Sequence, residues 1–141
     1  MPQFNDTSKK RRDTCHPHLI DLMNEAIKIM DFTIVCGHRG KLAQNTAFMT
    51  GRSKLKFPNS KHNKTPSLAI DIAPVKYKPN GAMWIDWNDI QSFVDLSQVI
   101  FPIADKMGIH VRWGGDFNMD GRKTTNDAWD KGHWELMGIE S

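Results

Sequence analysis

Residues 68–74 read LAIDIAP and alternate between large aliphatic and small side chains, which is typical of a buried β-strand. The leucine and the two isoleucines point to one face, whereas Asp71 projects between two alanines on the other face. The small neighbours leave room beside the carboxylate for a ligand. A carboxylate on such a buried strand also needs a compensating cation nearby.

Further helices and strands are predicted on both sides of this strand. Apolar residues recur at helical spacing over residues 17–30, and the β-branched run at 32–36, FTIVC, predicts a buried strand. The remaining predicted elements are a helix over 41–49, a loop over 51–67, a turn at 80–81, a helix over 86–107 that Pro102 should kink or divide, a strand over 109–113, a loop over 114–131 and a strand over 133–137. Because helices and strands mix without a regular βαβ alternation, we expect an α+β fold with a small, mainly antiparallel sheet packed with helices.

Length and composition are typical of one globular domain. The chain has 141 residues, of which 39% are hydrophobic and 25% charged, so we expect a single domain over residues 1–141. We also expect a monomer. Residues 1–14 contain the basic run KKRR at 9–12, which we interpret as a flexible, solvated terminus, with weak attraction to an anionic polymer as the alternative. Aromatic residues do not interleave with this run, so nucleic-acid binding is not expected. The sequence also lacks an apolar stretch long enough for membrane insertion and the apolar core of a signal peptide, so we expect the protein to stay where it is made.

The two cysteines, Cys15 and Cys36, do not have the spacing of a disulfide framework or a four-sulfur zinc site. Cys36 lies in the apolar run at 32–36 and is interpreted as a small buried residue, not a nucleophile. Any catalytic metal would therefore be held by histidine and carboxylate side chains.

Two of the six histidines stand in informative positions. His62 lies nine residues before Asp71, and His133 lies three residues after Asp130. Two imidazoles and one carboxylate form a three-ligand set that leaves the fourth position on zinc open for water. A surface histidine and a salt-bridged aspartate are the alternative interpretations.

Two further charged residues are candidates for catalysis. Asp130 could serve as a general base beside the metal, although the Asp-Lys-Gly sequence at 130–132 is also typical of a turn. Arg39 directly follows the predicted strand at 32–36 and could bind a carboxylate or a developing oxyanion. A surface arginine at a turn is the alternative for Arg39.

Taken together, these residues resemble a family of zinc peptidases. The family includes D-alanyl-D-alanine carboxypeptidases, D-alanyl-D-alanine dipeptidases and the L-alanyl-D-glutamate endopeptidases of phage endolysins. Its pattern is an arginine after an early strand, then S-x-H leading to an aspartate, then an acid three residues before a histidine. In this sequence the pattern falls on Arg39, Ser60, His62, Asp71, Asp130 and His133.

The resemblance implies one catalytic zinc held by His62, Asp71 and His133. It also implies that Asp130 is the base and that Arg39 steadies the substrate carbonyl. Ser60 and Gln44 fall where the family places groups that contact the substrate or support the site.

Two departures favour the phage endolysin branch of this family. The spacing from His62 to Asp71 is nine residues where seven is commonest, and Asp130 stands where the carboxypeptidase and dipeptidase branches carry glutamate. The implied substrate is the peptidoglycan stem peptide, cut at its L-alanyl-D-glutamate bond after release from the host bacterial cytoplasm to the wall. A D-alanyl-D-alanine carboxypeptidase and a non-catalytic wall-binding module are the alternatives.

A second metal loop is suggested by residues 116–127, DFNMDGRKTTND. Oxygen-bearing side chains occupy positions 1, 3, 5 and 12 of a calcium loop, and glycine occupies position 6. Asp127 stands where glutamate would bind in bidentate fashion, and turns of this composition also form without an ion. Calcium at the Asp116–Asp127 loop is thus an expectation beside the alternative of an ion-free turn.

Overall fold

The computed structural model describes residues 2–116 and 130–139. The elements in chain order are helix α1 (Asp6–Arg12), helix α2 (Pro17–Ala26), strand β1 (Phe32–Cys36), helix α3 (Lys41–Met49), strand β2 (Ala69–Pro74), strand β3 (Lys76–Tyr77), strand β4 (Met83–Trp84), helix α4 (Ile90–Met107), strand β5 (Val111–Trp113) and strand β6 (His133–Leu136). A short 3-10 turn, Lys61–Asn63, precedes β2. Each predicted helix and strand is present, and most ends agree within two residues.

The central sheet has four strands in the order β1-β2-β6-β5, and every neighbouring pair is antiparallel. Strands β3 and β4 form a separate hairpin, whose turn contains Gly81 at a φ of 87°. That positive φ explains the glycine, because side-chain-bearing residues rarely adopt it. The predicted α+β fold with a mainly antiparallel sheet is confirmed.

The core lies between one face of the sheet and the two longest helices. Helix α2 packs against α4, and α4 packs against β2 and β5. Trp134 of β6 is almost completely buried and stacks on Trp113 of β5 with ring centroids 5.8 Å apart. The residues that alternate with Asp71 and His133 along their strands face the core. Asp71 and His133 therefore lie on the opposite face of the sheet.

The prediction of a flexible terminus over residues 1–14 is wrong for the described part of that segment. Residues 6–12 form α1, and the Asn5 side chain accepts a hydrogen bond from the backbone N–H of Ser8 at its first turn. Phe4 is 7% exposed and packs edge-on against Phe32 of β1. Lys9 and Lys10 are exposed, whereas the buried Ser8, together with Phe4 before the helix, holds α1 on β1.

Of the two effects predicted for Pro102, a kink or a division of the helix, the division does not occur. The helix continues from Ile90 to Met107 and ends at Gly108 in the left-handed region. Proline removes one backbone hydrogen bond. The buried face of α4, which includes Phe93, Leu96, Ile100 and Ala104, keeps packing on both sides of Pro102 and outweighs that loss.

Two other predictions concern the Asp116–Asp127 loop and membrane insertion. Apart from Asp116, the Asp116–Asp127 loop and its predicted calcium site lie outside the described residues. Among the helices of the described ranges, none is long and apolar enough to cross a membrane.

Candidate active site

The site begins with a cross-strand pair. Asp71 of β2 lies directly opposite His133 of β6, and the Asp71 Oδ1 is 3.2 Å from the His133 Nδ1. Directly opposed residues in an antiparallel pair put their side chains on the same face of the sheet. This face is the one opposite the tryptophan-lined core, so the pair faces the solvent side of the sheet.

His62 reaches the same carboxylate from the 3-10 turn before β2. Its Nε2 lies 3.2 Å from the Asp71 Oδ1, and its Nδ1 lies 2.8 Å from the carbonyl oxygen of Gly37. The Ser60 hydroxyl accepts a hydrogen bond from the His62 backbone N–H and caps the turn. The long loop between His62 and Asp71 therefore lets the His62 imidazole lie against the face of β2 that carries Asp71.

The donors of this site suit a metal such as zinc. The two histidine nitrogens nearest to Asp71 both approach its Oδ1, so two imidazoles and one carboxylate converge on one point. The Gly37 carbonyl can accept a hydrogen bond from the Nδ1–H of His62, which in the neutral ring leaves the lone pair on Nε2 directed at this point. Nitrogen and oxygen ligands with an open side are typical of catalytic zinc.

Cys36 extends this group from the neighbouring strand. A β-bulge between Ile34 and Cys36 shifts the register of β1, so that Cys36 lies opposite Asp71. Among the described residues, the ligand atoms of Cys36, His62 and Asp71 lie within 4.8 Å of one another and could hold a metal ion, which is consistent with one zinc. The expectation that Cys36 is simply a buried residue is therefore wrong, because its side chain is half-buried beside the site.

The electrostatics of the metal-free site favour charged groups despite their burial. Burial alone would raise the pKa of Asp71, but His62 and His133 outweigh it and hold the pKa well below its usual range. Burial would lower the pKa of each histidine, but Asp71 raises the pKa of His62 to about 10. The hydrogen bonds to Asp71 and Glu135 raise the pKa of His133 to about 9. The metal-free cluster thus holds two cationic imidazoles around one carboxylate. A divalent cation could take the place of the two protons that these imidazoles carry.

Arg39 lies beside the other oxygen of Asp71. Its Nη2 is 3.2 Å from the Asp71 Oδ2, and its Nη1 donates to the Gln44 Oε1 at 3.1 Å. Gln44 of α3 is completely buried and donates through Nε2 to the Ser53 hydroxyl and the Leu55 carbonyl. Gln44 was predicted to contact substrate or to support the site. It lies where it can hold Arg39, but it has no exposed surface with which to contact a substrate.

Asp130 lies next to the imidazole of His133. Its Oδ2 is 3.9 Å from the His133 Nδ1, and its side chain is about one-third exposed. Burial and the charge of Asp71 raise the pKa of Asp130, although His133, His62 and Arg39 oppose the rise. Gly114 allows the close approach of this segment, since a Cβ there would lie 2.1 Å from the Asp130 carbonyl oxygen.

These groups line one cavity of about 450 Å³. The described residues of its wall include five basic side chains and three acidic ones, alongside both histidines. The basic set comprises Arg39, Arg52, Lys54, Lys61 and Arg112, and the acidic set comprises Asp71, Asp130 and Glu135. The cavity therefore presents a surplus of positive charge around the histidine and aspartate cluster, which suits an anionic ligand.

Glu135 is a member of the site that was absent from the predicted set. It lies two residues after His133 on β6, so both side chains project from the same face of the strand. Its Oε1 is 2.8 Å from the His133 Nε2. The sequence His133-Trp-Glu135 carries the period-two signal that could have revealed this contact.

Comparison with known proteins agrees with this arrangement. The sequence model of the phage L-alanyl-D-glutamate peptidases matches residues 2–137. The chain belongs to the phage L-alanyl-D-glutamate peptidase family. It is 34% identical over 142 residues to the L-alanyl-D-glutamate peptidase of Escherichia phage T5, an alignment that covers 96% of this chain and 98% of the phage T5 protein.

A solved structure supports the fold independently. The crystal structure of the L-Ala D-Glu endopeptidase ChiX of Serratia marcescens matches with a TM-score of 0.70 over 96% of this chain and 90% of that one. The two sequences are 20% identical, so this likeness bears on the fold. The predicted family resemblance is confirmed by the sequence comparisons.

Proposed function

We propose that this chain is a zinc-dependent peptidoglycan endopeptidase that hydrolyses the L-alanyl-D-glutamate bond of the stem peptide. The observation that carries the proposal is the approach of His62 and His133 to one oxygen of Asp71, on the wall of an open, basic cavity. Family membership supports the peptidase activity and the bond. In this proposal the activity would serve lysis of a bacterial wall after release from the host cytoplasm.

The ligand set of the proposal is His62, Asp71 and His133. Cys36 is the other residue close enough to serve, but the cavity wall includes His133 and not Cys36 among the described residues. A catalytic metal needs an open position on the side where the substrate lies. His62, Asp71 and His133 all line the cavity, whereas Cys36 lies on the neighbouring strand β1 and does not, so the set with His133 fits this requirement.

Bound zinc would supply Lewis acidity, which polarises a carbonyl and lowers the pKa of water to near 7. Asp130 lies at the cavity wall beside His133, and its raised pKa suits a group that takes a proton and later returns it. In hydrolysis, Asp130 would accept the proton of the attacking water and deliver it to the amine of the leaving D-glutamate. The products are a new L-alanine carboxyl group and a new D-glutamate amino group.

Arg39 and the other basic residues would bind and orient the substrate. Arg39 is held by Asp71 and Gln44, and its side chain still lines the cavity, so its guanidinium can meet the scissile carbonyl. Stem peptides carry carboxylates, which suit the basic wall formed by Arg52, Lys54 and their neighbours. Ser60 lines the same cavity and caps the turn that carries His62, so in this proposal it supports the ligand and borders the substrate.

Analysis of the released termini tests this function. Purified peptidoglycan is digested with the zinc-loaded protein, with its Asp130→Asn variant and with protein stripped by a chelator, and the new termini are identified by mass spectrometry. The expected termini are L-alanine carboxyl and D-glutamate amino groups, formed roughly 10²–10⁴-fold more slowly by Asp130→Asn. Asp21→Asn, on the exposed side of α2, is the matched control and should cleave at the normal rate.

Other outcomes of this digestion contradict the proposal in different ways. Release of D-alanine alone would indicate a D-alanyl-D-alanine carboxypeptidase. Undiminished cleavage by Asp130→Asn would remove the assigned base, and full activity after zinc removal would overturn the metal mechanism. Binding to peptidoglycan without new termini would indicate a non-catalytic wall-binding module.

A further inference from the structure

We infer that Glu135 is a positioning residue that fixes the imidazole of His133 with Nδ1 facing the metal position. This inference rests on the zinc site of the proposed function. It concerns a residue beyond the ligands, the base and the arginine. Its evidence is a chain of buried and half-buried contacts on the sheet face that carries the site.

The contact between Glu135 and His133 determines which ring nitrogen carries hydrogen. The Glu135 Oε1 lies 2.8 Å from the His133 Nε2, on the side of the ring away from Asp71. An ionised carboxylate can only accept hydrogen bonds, so the Nε2 must donate. In a neutral imidazole the lone pair is then on Nδ1, which lies 3.2 Å from the Asp71 Oδ1. Glu135 thus selects the tautomer in which His133 can bind a metal beside Asp71.

Glu135 is itself held in place by two cations. Its Oε2 is 3.1 Å from the Arg112 Nη2 and 3.2 Å from the Lys61 Nζ. Arg112 lies directly opposite Glu135 on β5, and Lys61 also donates to the carbonyl of Leu136. Glu135 is 7% exposed, and such burial is costly for a carboxylate without partners of this kind. The carboxylate is therefore fixed from two sides, with one oxygen left for His133.

As a result, the two histidines face Asp71 with different ring nitrogens. His62 is held through Nδ1 by the backbone carbonyl of Gly37 and faces Asp71 with Nε2. His133 is held through Nε2 by a side chain and faces Asp71 with Nδ1. A backbone carbonyl cannot be removed by substitution, but Glu135 can, so the orientation of His133 is open to a direct test.

The first test measures ring tautomers in the wild-type protein. Long-range ¹H–¹⁵N spectra of the full chain loaded with zinc identify the protonated nitrogen of each histidine. We expect a proton on Nδ1 of His62 and on Nε2 of His133. A zinc-bound protein in which His133 carries its proton on Nδ1 would overturn the inference without any variant being made.

The second test measures zinc affinity by competition with a chromogenic chelator. Glu135→Ala should bind zinc roughly 10–100-fold more weakly than wild type, the usual effect of losing such a hydrogen-bond partner. Glu135→Gln keeps an acceptor oxygen for the His133 Nε2–H and should lose less than Glu135→Ala. Glu25→Ala removes the exposed partner of Lys28 and is the matched control, with an expected affinity equal to wild type.

Melting curves and cleavage assays distinguish a loss of His133 positioning from a loss of folding or of peptidase activity. Melting curves of the metal-free variants show whether each one folds, and a Glu135→Ala protein that does not fold leaves the decision to Glu135→Gln and the tautomer spectra. Equal zinc affinity in wild type and folded Glu135→Ala would contradict the inference. Correct tautomers and affinities without stem-peptide cleavage would contradict the proposed function alone, whereas a wild type that binds no zinc would contradict both.

Discussion

Asp71 and His133 lie directly opposite each other on β2 and β6, with the Asp71 Oδ1 3.2 Å from the His133 Nδ1. They are 62 residues apart in the sequence, and the antiparallel pairing of the two strands brings them together. Since neighbouring residues on both strands face the core, a register shift of one residue would bury this pair and expose Trp134. The packing of the core therefore holds the geometry of the site.

The identity of the third ligand leads to the first prediction. His133→Ala should weaken zinc binding by more than the roughly 10–100-fold that loss of a hydrogen-bond partner costs, because a ligand itself is removed. Cys36→Ala should bind one zinc with an affinity close to that of wild type. The measurement is zinc stoichiometry and affinity by chelator competition, with melting curves to check that both variants fold.

The reverse result would reassign the site. If Cys36→Ala lost its zinc and His133→Ala kept it, the metal would lie in the group formed by Cys36, His62 and Asp71. His62→Ala should lose zinc under either assignment, and therefore serves as the positive control.

The pH dependence of stability in the metal-free protein is the second prediction. The pKa values of His62 and His133 are raised to about 10 and about 9 from an ordinary value of 6.5. The stability that these groups contribute is thus complete below about pH 6.5 and is lost as the pH rises through about 9 and 10. For Asp71 the pKa is lowered, so its contribution is present above the ordinary carboxyl value of 3.8 and lost as the pH falls below it.

Urea unfolding of the chelator-treated protein checks this dependence. The midpoint should be highest at roughly pH 4.5–6.5 and should fall between pH 7 and pH 10. His133→Asn removes one of the two raised pKa values and should show a shallower fall over the alkaline range. A wild-type midpoint that stays constant or rises from pH 7 to pH 10 would contradict the prediction.

Much of the site could be predicted because its signals are local. The alternation of residues 68–74 gives Asp71 its direction, and the motifs around His62 and His133 mark two further candidates. The positions of Cys36 and Glu135 were missed for different reasons. Cys36 faces Asp71 because of a β-bulge, and such a bulge leaves no signal in the β-branched run that contains it.

The period-two spacing of His133 and Glu135 is a local signal, but the two cations that hold Glu135 come from long-range pairing that a single sequence does not reveal. Its neighbours Arg112 and Lys61 come from β5 and from the loop before β2, and their approach requires the register of three separate segments. The terminal helix was missed because charge dominates the composition of residues 9–12, while its anchoring residues, Phe4 and Ser8, are few and widely spaced.

The reactivity of the two thiols is the third prediction. Burial raises the pKa of Cys15 to about 12, so this thiol is almost entirely protonated at pH 8. Burial also acts on Cys36, but the hydrogen bond and charge of His62 outweigh it and lower the pKa of Cys36. Iodoacetamide at pH 8 should therefore modify Cys36 of the metal-free protein well before Cys15.

Peptide mass spectrometry over a time course measures both alkylation rates. In urea the two cysteines should react at similar rates, because the environments that separate their pKa values are lost on unfolding. Faster modification of Cys15 than of Cys36 in the folded protein would contradict the assigned environments.

The packing of the N-terminal segment gives the fourth prediction. Phe4 is 7% exposed and packs on Phe32 with ring centroids 5.3 Å apart, so Phe4→Ala should lower the free energy of unfolding by about 3 kcal/mol. Ser8→Ala should also destabilise the protein, because the buried Ser8 hydroxyl accepts a hydrogen bond from the backbone N–H of Ile34 and bonds the Thr33 hydroxyl. Leu42→Ala, at a residue that is 83% exposed, is the control and should change stability by less than about 0.5 kcal/mol. Urea unfolding measures all three variants, and a Phe4→Ala protein as stable as wild type would mean that residues 2–12 do not pack on β1 in solution.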